Sequence, residues 1–226
     1  MGKNKLRRFN EMEAFDHVVQ PTRQEVEHGL PLAGRWNADF FESDRPLALE
    51  LGCGHGDYTA NLGHLRRDVN FVGVDIKGAR IWRGAKTAEE ESLDNVGFLR
   101  TQIELIDSCF GPNEVSEIWI TFPDPQIKFK RAKHRLTHPL FLERYRRILK
   151  SDGVIHLKSD SEFLHGYTLG LLEAWGWPII ESNHDIYRNP QRDPVLDIKT
   201  YYEQKWLAQG KAITYLKFQL GERREF

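Results

Sequence analysis

Short apolar runs alternate with amphipathic segments along most of the chain. The run Leu47-Ala48-Leu49-Glu50-Leu51 ends directly in glycines, which is typical of a buried strand. Four further runs of this kind predict strands at 70–76, 96–99, 115–122 and 154–157. Apolar positions at helical spacing predict helices at 58–65, 78–92, 138–149 and 162–175.

Strands and helices that alternate in this order predict a mostly parallel sheet with helices on both faces. The last two strands, at 178–181 and 213–220, are predicted to form an antiparallel pair, with a long loop at 183–198 between them. Ligands bind at the carboxyl ends of the strands in such sheets. We therefore expect four loops to meet at one edge of the sheet, namely those after Glu50, Asp75, Leu99 and Phe122.

The composition of the 226 residues is that of an ordinary globular protein, with 40% apolar and 29% charged residues. The length predicts one domain at 45–226, preceded at 1–44 by an arm with one short helix. The chain has no apolar run long enough to span a membrane and no apolar N-terminal signal, so it is predicted to be cytoplasmic. Two cysteines, Cys53 and Cys109, are too few for a disulfide framework. A net charge of −1 excludes a globally basic nucleic-acid-binding protein but allows a local basic patch.

A glycine-rich loop follows the first of these strands and opens a helix. Its glycines, Gly52 and Gly54 among them, allow a tight turn and a close approach of a ligand to the backbone. Asp57 would crowd a pyrophosphate, and Glu50 adds a second carboxylate beside the loop. Asp75, at the end of the next strand, is well placed to accept hydrogen bonds from two ribose hydroxyls. These residues favour S-adenosylmethionine, which carries an ammonium group, over a nicotinamide dinucleotide.

Two pairs of residues have the side chains of a metal site or a nucleophile, but neither pair has the further groups that such a site requires. Cys53 and His55 lie two apart inside the glycine loop, where we expect the backbone to matter more than these side chains. His134 and His138 are four apart, but no third ligand is nearby and Pro139 follows at once. We therefore expect no metal site.

An acid flanked by two prolines follows the strand predicted at 115–122. Pro123 and Pro125 fix the backbone on both sides of Asp124. A rigid loop that carries a carboxylate at the edge of the sheet is what a positioned catalytic or binding group requires.

The segment after this loop is strongly basic. Residues 128–150 carry nine Lys and Arg side chains against one acid, Glu143. A solvated helix face usually mixes both signs, so binding to phosphates explains this excess better. Long cations in a short run are expected to hold an RNA backbone without reading its sequence. The side chains expected to do so are Lys130, Arg131, Lys133, His134 and Arg135.

Five motifs of the chain together resemble those of the bacterial tRNA (guanine-N7)-methyltransferases. They are ELGCGHG at 50–56, GVDI at 73–76, TFPDPxxK at 121–128, LKSD at 157–160 and TxYE at 200–203. The resemblance implies a Rossmann-like class I methyltransferase, an α/β fold with a mostly parallel seven-stranded sheet and an antiparallel C-terminal strand. It also implies transfer of a methyl group from S-adenosylmethionine to N7 of a guanine in the tRNA variable loop, forming 7-methylguanosine.

The resemblance implies roles for individual residues as well. Asp124 corresponds to the catalytic acid at the junction of cofactor and guanine. Cofactor contacts are expected at Glu50, Gly52, Gly54, Asp75, Gln102 and Asp124. Substrate contacts are expected at Lys128, Asp160, Thr200, Tyr201, Tyr202 and Glu203. The chain departs from the family at Gln102, where Asp or Asn is usual, and at Gln126, where Trp is usual.

Three other functions stay open on the sequence alone. A methyltransferase for a small molecule or a protein would not need the basic segment, and a non-catalytic RNA-binding subunit would not need Glu50, Asp75 and Asp124. A nicotinamide-dependent dehydrogenase is disfavoured by Asp57. The expected partner is tRNA, and the chain is expected to be a monomer or a homodimer.

Overall fold

The computed structural model describes the backbone of residues 3–221 and the side chains of Arg7, Arg8 and residues 10–221. Its strands are β1 (Val18–Val19), β2 (Leu47–Leu51), β3 (Asn70–Asp75), β4 (Val96–Arg100), β5 (Val115–Thr121), β6 (Leu149–Ser159), β7 (Ile179–Asn183) and β8 (Thr214–Gln219). They form one sheet in the order β1-β4-β3-β2-β5-β6-β8-β7. The pairs β6–β8 and β7–β8 are antiparallel, and the other pairs are parallel.

The mostly parallel sheet and its antiparallel C-terminal pair are confirmed. The sheet has eight strands rather than seven, because β1 adds a two-residue edge strand beside β4. Two residues are too few to show a period, so the sequence pattern does not predict β1. β6 also begins earlier than expected, since Leu149 already pairs with Val115 before an irregularity in register.

The helices of the described chain are α1 (Lys3–Glu13), α2 (Arg23–Glu27), α3 (Asp57–Leu65), α4 (Gly78–Glu90), α5 (Pro139–Ile148), α6 (Glu162–Trp175) and α7 (Tyr201–Leu207). A π-helical turn spans Trp36–Phe40, and 3₁₀ turns span Ile103–Ser108, Phe129–His134, Ile186–Arg188 and Pro194–Asp197. The four predicted helices are confirmed, with ends that differ by two residues at most. Among the described residues, no helix has the length and apolarity needed to cross a bilayer.

The residues that bound α5 and α6 explain where these helices begin and end. Pro139 occupies the first turn of α5, where its missing N–H costs nothing, and His138 caps that turn through its ring nitrogen. The Ser161 hydroxyl accepts a hydrogen bond from the backbone N–H of Leu164 and so caps α6. Gly176 ends α6 with φ 65°, a left-handed conformation that favours glycine.

β2 lies in the centre of the sheet and alternates between two hydrophobic cores. Leu47, Leu49 and Leu51 belong to a cluster that includes side chains of α5 and α6. Ala48 belongs to a second cluster, with Tyr58 of α3. The prediction that both faces of the sheet are covered is therefore confirmed, and the carboxyl ends of the strands are left as the accessible edge.

Residues of the N-terminal arm are part of these cores. Val26, Leu30 and Trp36 are buried in the same cluster as β2, and Trp36 is 0% exposed. The indole N–H of Trp36 donates to the carbonyl of Cys109 at 2.9 Å, and its ring stacks on Phe110. Two α-helices and a π-helical turn lie in this region, where the sequence predicts one short helix. The domain boundary between residues 44 and 45 stays a prediction.

Candidate active site

A cavity of about 460 Å³ opens at the carboxyl ends of the central strands. It is lined by the loop between β2 and α3, by the ends of β3 and β5, and by residues near the start of α7. The site residues predicted from the sequence that line it are Glu50, Gly52, Gly54, Asp75, Asp124, Asp160, Thr200, Tyr201 and Tyr202. Three of the four loops expected at this edge therefore meet in one cavity, and the loop after β4 faces a neighbouring one.

The glycine loop turns tightly where it lines the cavity. The backbone N–H groups of Gly52 and Cys53 both donate to the carbonyl of Val74, at 2.8 and 3.1 Å. Gly52 and Gly54 have φ values of 78° and 56°, in the left-handed region where a Cβ would be strained. At the end of the loop, a Cβ on Gly56 would lie 2.9 Å from the Cα of Gly84. Glycine there lets α3 and α4 pack closely beside the cavity.

Glu50 is a buried carboxylate beneath this loop. It is 1% exposed and accepts hydrogen bonds from the hydroxyls of Thr121, at 2.5 Å, and Thr59. Burial raises the pKa of Glu50 to about 7, although both hydrogen bonds oppose the shift. A positive charge entering the cavity would favour the ionised form of this carboxyl.

Asp75 is held in one orientation at the end of β3. One of its oxygens accepts from the backbone N–H of Gly54 at 3.0 Å, and the other accepts from the backbone N–H of Lys77 at 2.8 Å. Each carboxylate oxygen has a second lone pair. Asp75 thus has the capacity to accept from two neighbouring hydroxyl groups of a ligand.

Asp124 stands exposed on a constrained loop at the mouth of the cavity. Phe122 and Gln126, on either side of it, have positive φ values of 48° and 46°. The backbone N–H of Phe122 donates to the carbonyl of Lys158 at 2.8 Å, which ties the loop to β6. Asp124 accepts from the backbone N–H of Gln126 at 3.0 Å. Strained backbone that is held by its surroundings is often found at functional sites.

Lys158 fastens the segment before α7 to the sheet. Its ammonium group, buried in β6, donates to the carbonyls of Leu196 and Ile198 at 2.9 and 2.8 Å and pairs with Glu203. Glu203 also accepts from the hydroxyl of Tyr187 at 2.7 Å. Both carboxylate oxygens of Glu203 are therefore engaged inside the protein. The side chain of Glu203 is buried and does not line the cavity, and the substrate contact expected there stays a prediction.

Thr200, Tyr201 and Tyr202 reach the cavity because α7 begins beside it. The Thr200 hydroxyl accepts from the backbone N–H of Glu203 at 3.2 Å and caps the helix. Trp206, one turn after Tyr202, also lines the cavity and was not among the site residues predicted from the sequence. Its spacing of four from Tyr202 on a capped helix was the available signal.

The chain is similar to known methyltransferases over most of its length. A family model described as a putative methyltransferase matches residues 44–216. A tRNA (guanine-N(7)-)-methyltransferase of Christiangramia forsetii is 59% identical and covers 97% of this chain and 99% of its own length. One of Bacteroides fragilis is 48% identical and covers 100% of this chain and 90% of its own length. The chain belongs to the tRNA (guanine-N7)-methyltransferase family.

Solved structures with a similar fold are also methyltransferases. The 16S rRNA methyltransferase KamB has a TM-score of 0.63 and 12% identity, and the match covers 84% of this chain and 95% of that one. A 30S ribosomal A1408 methyltransferase from an uncultured bacterium has a TM-score of 0.59 and 15% identity, with 84% and 98% covered. At such identities the likeness shows the fold alone. The predicted class I methyltransferase fold is confirmed.

The basic segment of this tRNA (guanine-N7)-methyltransferase family member divides into free and engaged cations. Five side chains are exposed and form no ion pair with a carboxylate whose position the structure describes: Lys128, Lys130, Arg131, Lys133 and Lys150. On α5, by contrast, Arg144 and Arg147 both pair with Asp107, at 2.6 and 2.8 Å. Apart from Lys150, these cations lie in the 3₁₀ turn at 129–134 and at the residue before it.

Arg135 does not belong to the free cations. It is 5% exposed, and its guanidinium carbon lies 4.8 Å from the ring centre of Phe163 and 4.4 Å from that of Tyr167. It also donates to the carbonyl of Gln126 at 3.1 Å. In this position the Arg135 side chain anchors the basic segment, and the expected RNA contact at Arg135 stays a prediction. His134 is exposed beside it.

Gln102 and Lys128 also lie outside the main cavity. Gln102 lines a neighbouring cavity of about 350 Å³, and its side-chain oxygen accepts from Arg23 at 2.9 Å. Ile76, which follows Asp75, lines the same space and is exposed. Lys128 is exposed at the start of the basic segment.

No group of three or more His, Cys, Asp or Glu side chains in the described chain is arranged to hold a metal ion. Cys53 lies in the glycine loop and is buried. Burial raises the pKa of the Cys53 thiol well above its usual range, which disfavours the thiolate that a nucleophile requires.

Proposed function

We propose that this chain transfers a methyl group from S-adenosylmethionine to N7 of a guanine in the variable loop of tRNA, forming 7-methylguanosine. Relatives that match nearly the whole chain are named for tRNA guanine-N7 methylation. The observation that carries the proposal is the position of Asp124. It lines the cavity on a constrained loop that runs directly into four exposed, unpaired cations of the described chain.

The cavity residues fit S-adenosylmethionine. A volume of about 460 Å³ suits a ligand of this size. Glu50 supplies a carboxylate that an ammonium group would stabilise, and Asp75 supplies acceptors for two ribose hydroxyls. Gln102 lies in the neighbouring cavity, and its amide, whose oxygen already accepts from Arg23, keeps an NH₂ group that can donate to a ring nitrogen of an adenine that extends there. Gly52 and Gly54 leave the backbone open to the ligand.

Methyl transfer to guanine N7 depends on the position of the two reactants more than on proton transfer. When bound, S-adenosylmethionine supplies a methyl group that its positively charged sulfur makes electrophilic. Guanine N7 carries a lone pair and no proton, so the protein needs no strong base to activate it. The residues of the cavity have to hold N7 in line with that methyl group. Their contribution to the rate is therefore the orientation of the two reactants.

Asp124 and Asp160 are the groups that we assign to the guanine. Both line the cavity, and both are carboxylates that can accept from the N1–H and N2–H groups of the base. Their negative charge also stabilises the positive charge that develops on the ring during methylation. Asp160 is oriented by Lys211, whose ammonium group lies 3.1 Å away. Glu203 acts as a positioning residue, because it holds the segment that carries Thr200, Tyr201 and Tyr202.

The tRNA has to be held by its backbone while the target base is exposed. Removing a base from its stacking and pairing contacts costs about a few kcal/mol. Lys128, Lys130, Arg131 and Lys133 offset this cost by binding phosphates. We propose tRNA as the partner, the cytoplasm as the compartment, and a monomer or homodimer as the working state.

The experiment that tests the substrate class presents three acceptors in parallel. The purified protein is incubated with methyl-labelled S-adenosylmethionine and either unmodified bulk tRNA, a small-molecule extract or a protein extract. We expect label in the tRNA alone. Label in small molecules or proteins would favour a methyltransferase of another substrate class. Failure to bind S-adenosylmethionine in calorimetry would favour a non-catalytic RNA-binding subunit.

A further inference from the structure

Phe129 is the most exposed large apolar side chain that the structure describes, at 93%. Ile127, two residues earlier, is 68% exposed. Single exposed apolar residues are common and need no explanation by themselves. The exposure of Phe129 indicates a binding surface only if the residues around it show which kind of partner would cover the ring.

The backbone that carries Phe129 is ordered by local contacts. The 3₁₀ turn that begins there is closed by a hydrogen bond from the N–H of Arg131 to the carbonyl of Lys128, at 2.9 Å. Its far end is anchored by Arg135, which is buried against Phe163 and Tyr167. The backbone that carries the Phe129 ring is therefore held in one position, while the ring itself points into solvent.

The charge around Phe129 selects among possible occupants. Lys128, Lys130, Arg131 and Lys133 are exposed and pair with no carboxylate whose position the structure describes. A two-fold contact with a second copy of the chain would bring this cationic surface against itself. An RNA strand, by contrast, offers phosphates for the cations and base faces for the ring.

We propose that Phe129 stacks on an unpaired base of the tRNA while the surrounding cations hold the adjacent phosphates. The inference rests on the proposed function, because it takes tRNA as the substrate. Phe129 lies four residues after Pro125, which lines the cavity, so the chain between them spans at most about 14 Å. The stacked base is therefore a near neighbour of the target guanine. Phe129 is a substrate-positioning residue that acts without an electrostatic contribution of its own.

The test separates the contribution of base stacking to tRNA binding from the contribution of phosphate contacts. Phe129→Ala is expected to weaken binding of an unmodified tRNA transcript by about 5- to 150-fold, the range seen for loss of one aromatic stack. The slope of log affinity against log salt concentration is expected to stay unchanged. Lys130→Ala is expected to lower that slope by about 0.7–0.9 units, because one phosphate contact is lost. Phe129→Trp should keep the affinity, since indole also stacks.

The control variant is Leu65→Ala, which removes a 53%-exposed apolar side chain at the far end of α3. It should leave tRNA binding unchanged, and calorimetry should show unchanged S-adenosylmethionine affinity for all variants. The inference is overturned if Phe129→Ala binds tRNA as tightly as Leu65→Ala does. It is also overturned if Phe129→Leu keeps full affinity, or if light scattering shows that Phe129→Ala dissociates a dimer. If the wild-type protein neither binds nor methylates tRNA, the proposed function itself fails, and this outcome is distinct from the others.

Discussion

Lys158 and Glu203 form an ion pair in which both side chains are 0% exposed, with 2.8 Å between Nζ and Oε1. The pair joins β6 to α7, across 45 residues of sequence. Burial lowers the pKa of Lys158, and the charge of Glu203 opposes this shift. Neither side chain of a buried ion pair can bind water instead of its partner. Separating the two elements that carry the pair would therefore leave both charges buried without compensation. The pair holds the residues that enter the cavity from the start of α7.

Lys158→Met should destabilise the protein, because it leaves the carboxylate of Glu203 buried without its counter-charge. We expect the free energy of unfolding to fall by about 3–5 kcal/mol in urea titrations at pH 7. Lys86→Met, which breaks an exposed pair with Glu89, is the matched control and should change stability little. Equal effects of the two substitutions would show that the buried pair is not what holds α7.

Glu50 should make the stability of the cofactor-free protein depend on pH. Its pKa is raised to about 7, so the folded state binds this proton more tightly than the unfolded state, whose value is near 4.5. The stabilising contribution is complete below pH 4.5 and is lost as the pH rises through 7. We expect Glu50→Gln to reduce the decline in unfolding free energy between pH 5 and pH 8 by up to about 3 kcal/mol.

The same variant should bind S-adenosylmethionine more weakly, since the amide cannot be charged opposite the ammonium group. Urea unfolding at the two pH values and calorimetry at pH 8 measure the two effects. An identical pH dependence in wild type and Glu50→Gln would mean that Glu50 does not titrate as its burial implies.

Asp124→Ala should lower turnover by about 10²-fold or more, because the carboxylate meets the base while charge develops on it. The affinity for tRNA should stay nearly intact, since Asp124 does not contact the phosphate backbone in this proposal. Asp124→Asn keeps the size of the side chain and isolates the contribution of its charge. Single-turnover kinetics and filter binding give the two quantities, and near-normal turnover in the alanine variant would remove Asp124 from a catalytic role.

Replacing Lys130, Arg131 and Lys133 together with Ala should weaken tRNA binding and flatten its dependence on salt. Each phosphate contact releases about 0.7–0.9 counterions, so the log–log slope should fall by roughly two to three units. Arg147→Gln is the matched control, because this cation on α5 already pairs with Asp107. S-adenosylmethionine affinity and the methylated position should not change. A triple variant with the wild-type slope would mean that RNA docks elsewhere.

The strands and helices from Leu47 onward, apart from α7, could be predicted because burial on both sides of a parallel sheet leaves a clear pattern of short apolar runs. The N-terminal region has no such period. Trp36 and Val26 pack into the core through a π-helical turn and a five-residue helix, which are too short for a periodic signal. β1 is missed for the same reason.

Most residues that line the candidate site could be predicted from the sequence, but the directions of their neighbours' side chains could not. Glu50, Asp75 and Asp124 come together because parallel strands end at one edge, which the topology dictates. Glu203 and Arg135 have suitable chemistry in suitable motifs, yet both turn inward to partners that are distant in sequence or not charged. The spacing of Thr200 and Glu203 is that of a helix N-cap and its third residue, a local signal for α7 that had been available.

The measurement that tests the central claim most directly is the identity and position of the modified nucleotide. Wild-type protein is incubated with methyl-labelled S-adenosylmethionine and an unmodified tRNA transcript, and mass spectrometry of the digested RNA locates the label. We predict 7-methylguanosine at a single guanine of the variable loop, formed about 10²-fold more slowly by Asp124→Ala. Label on an adenine, on another atom of guanine or on no nucleotide at all would contradict the account.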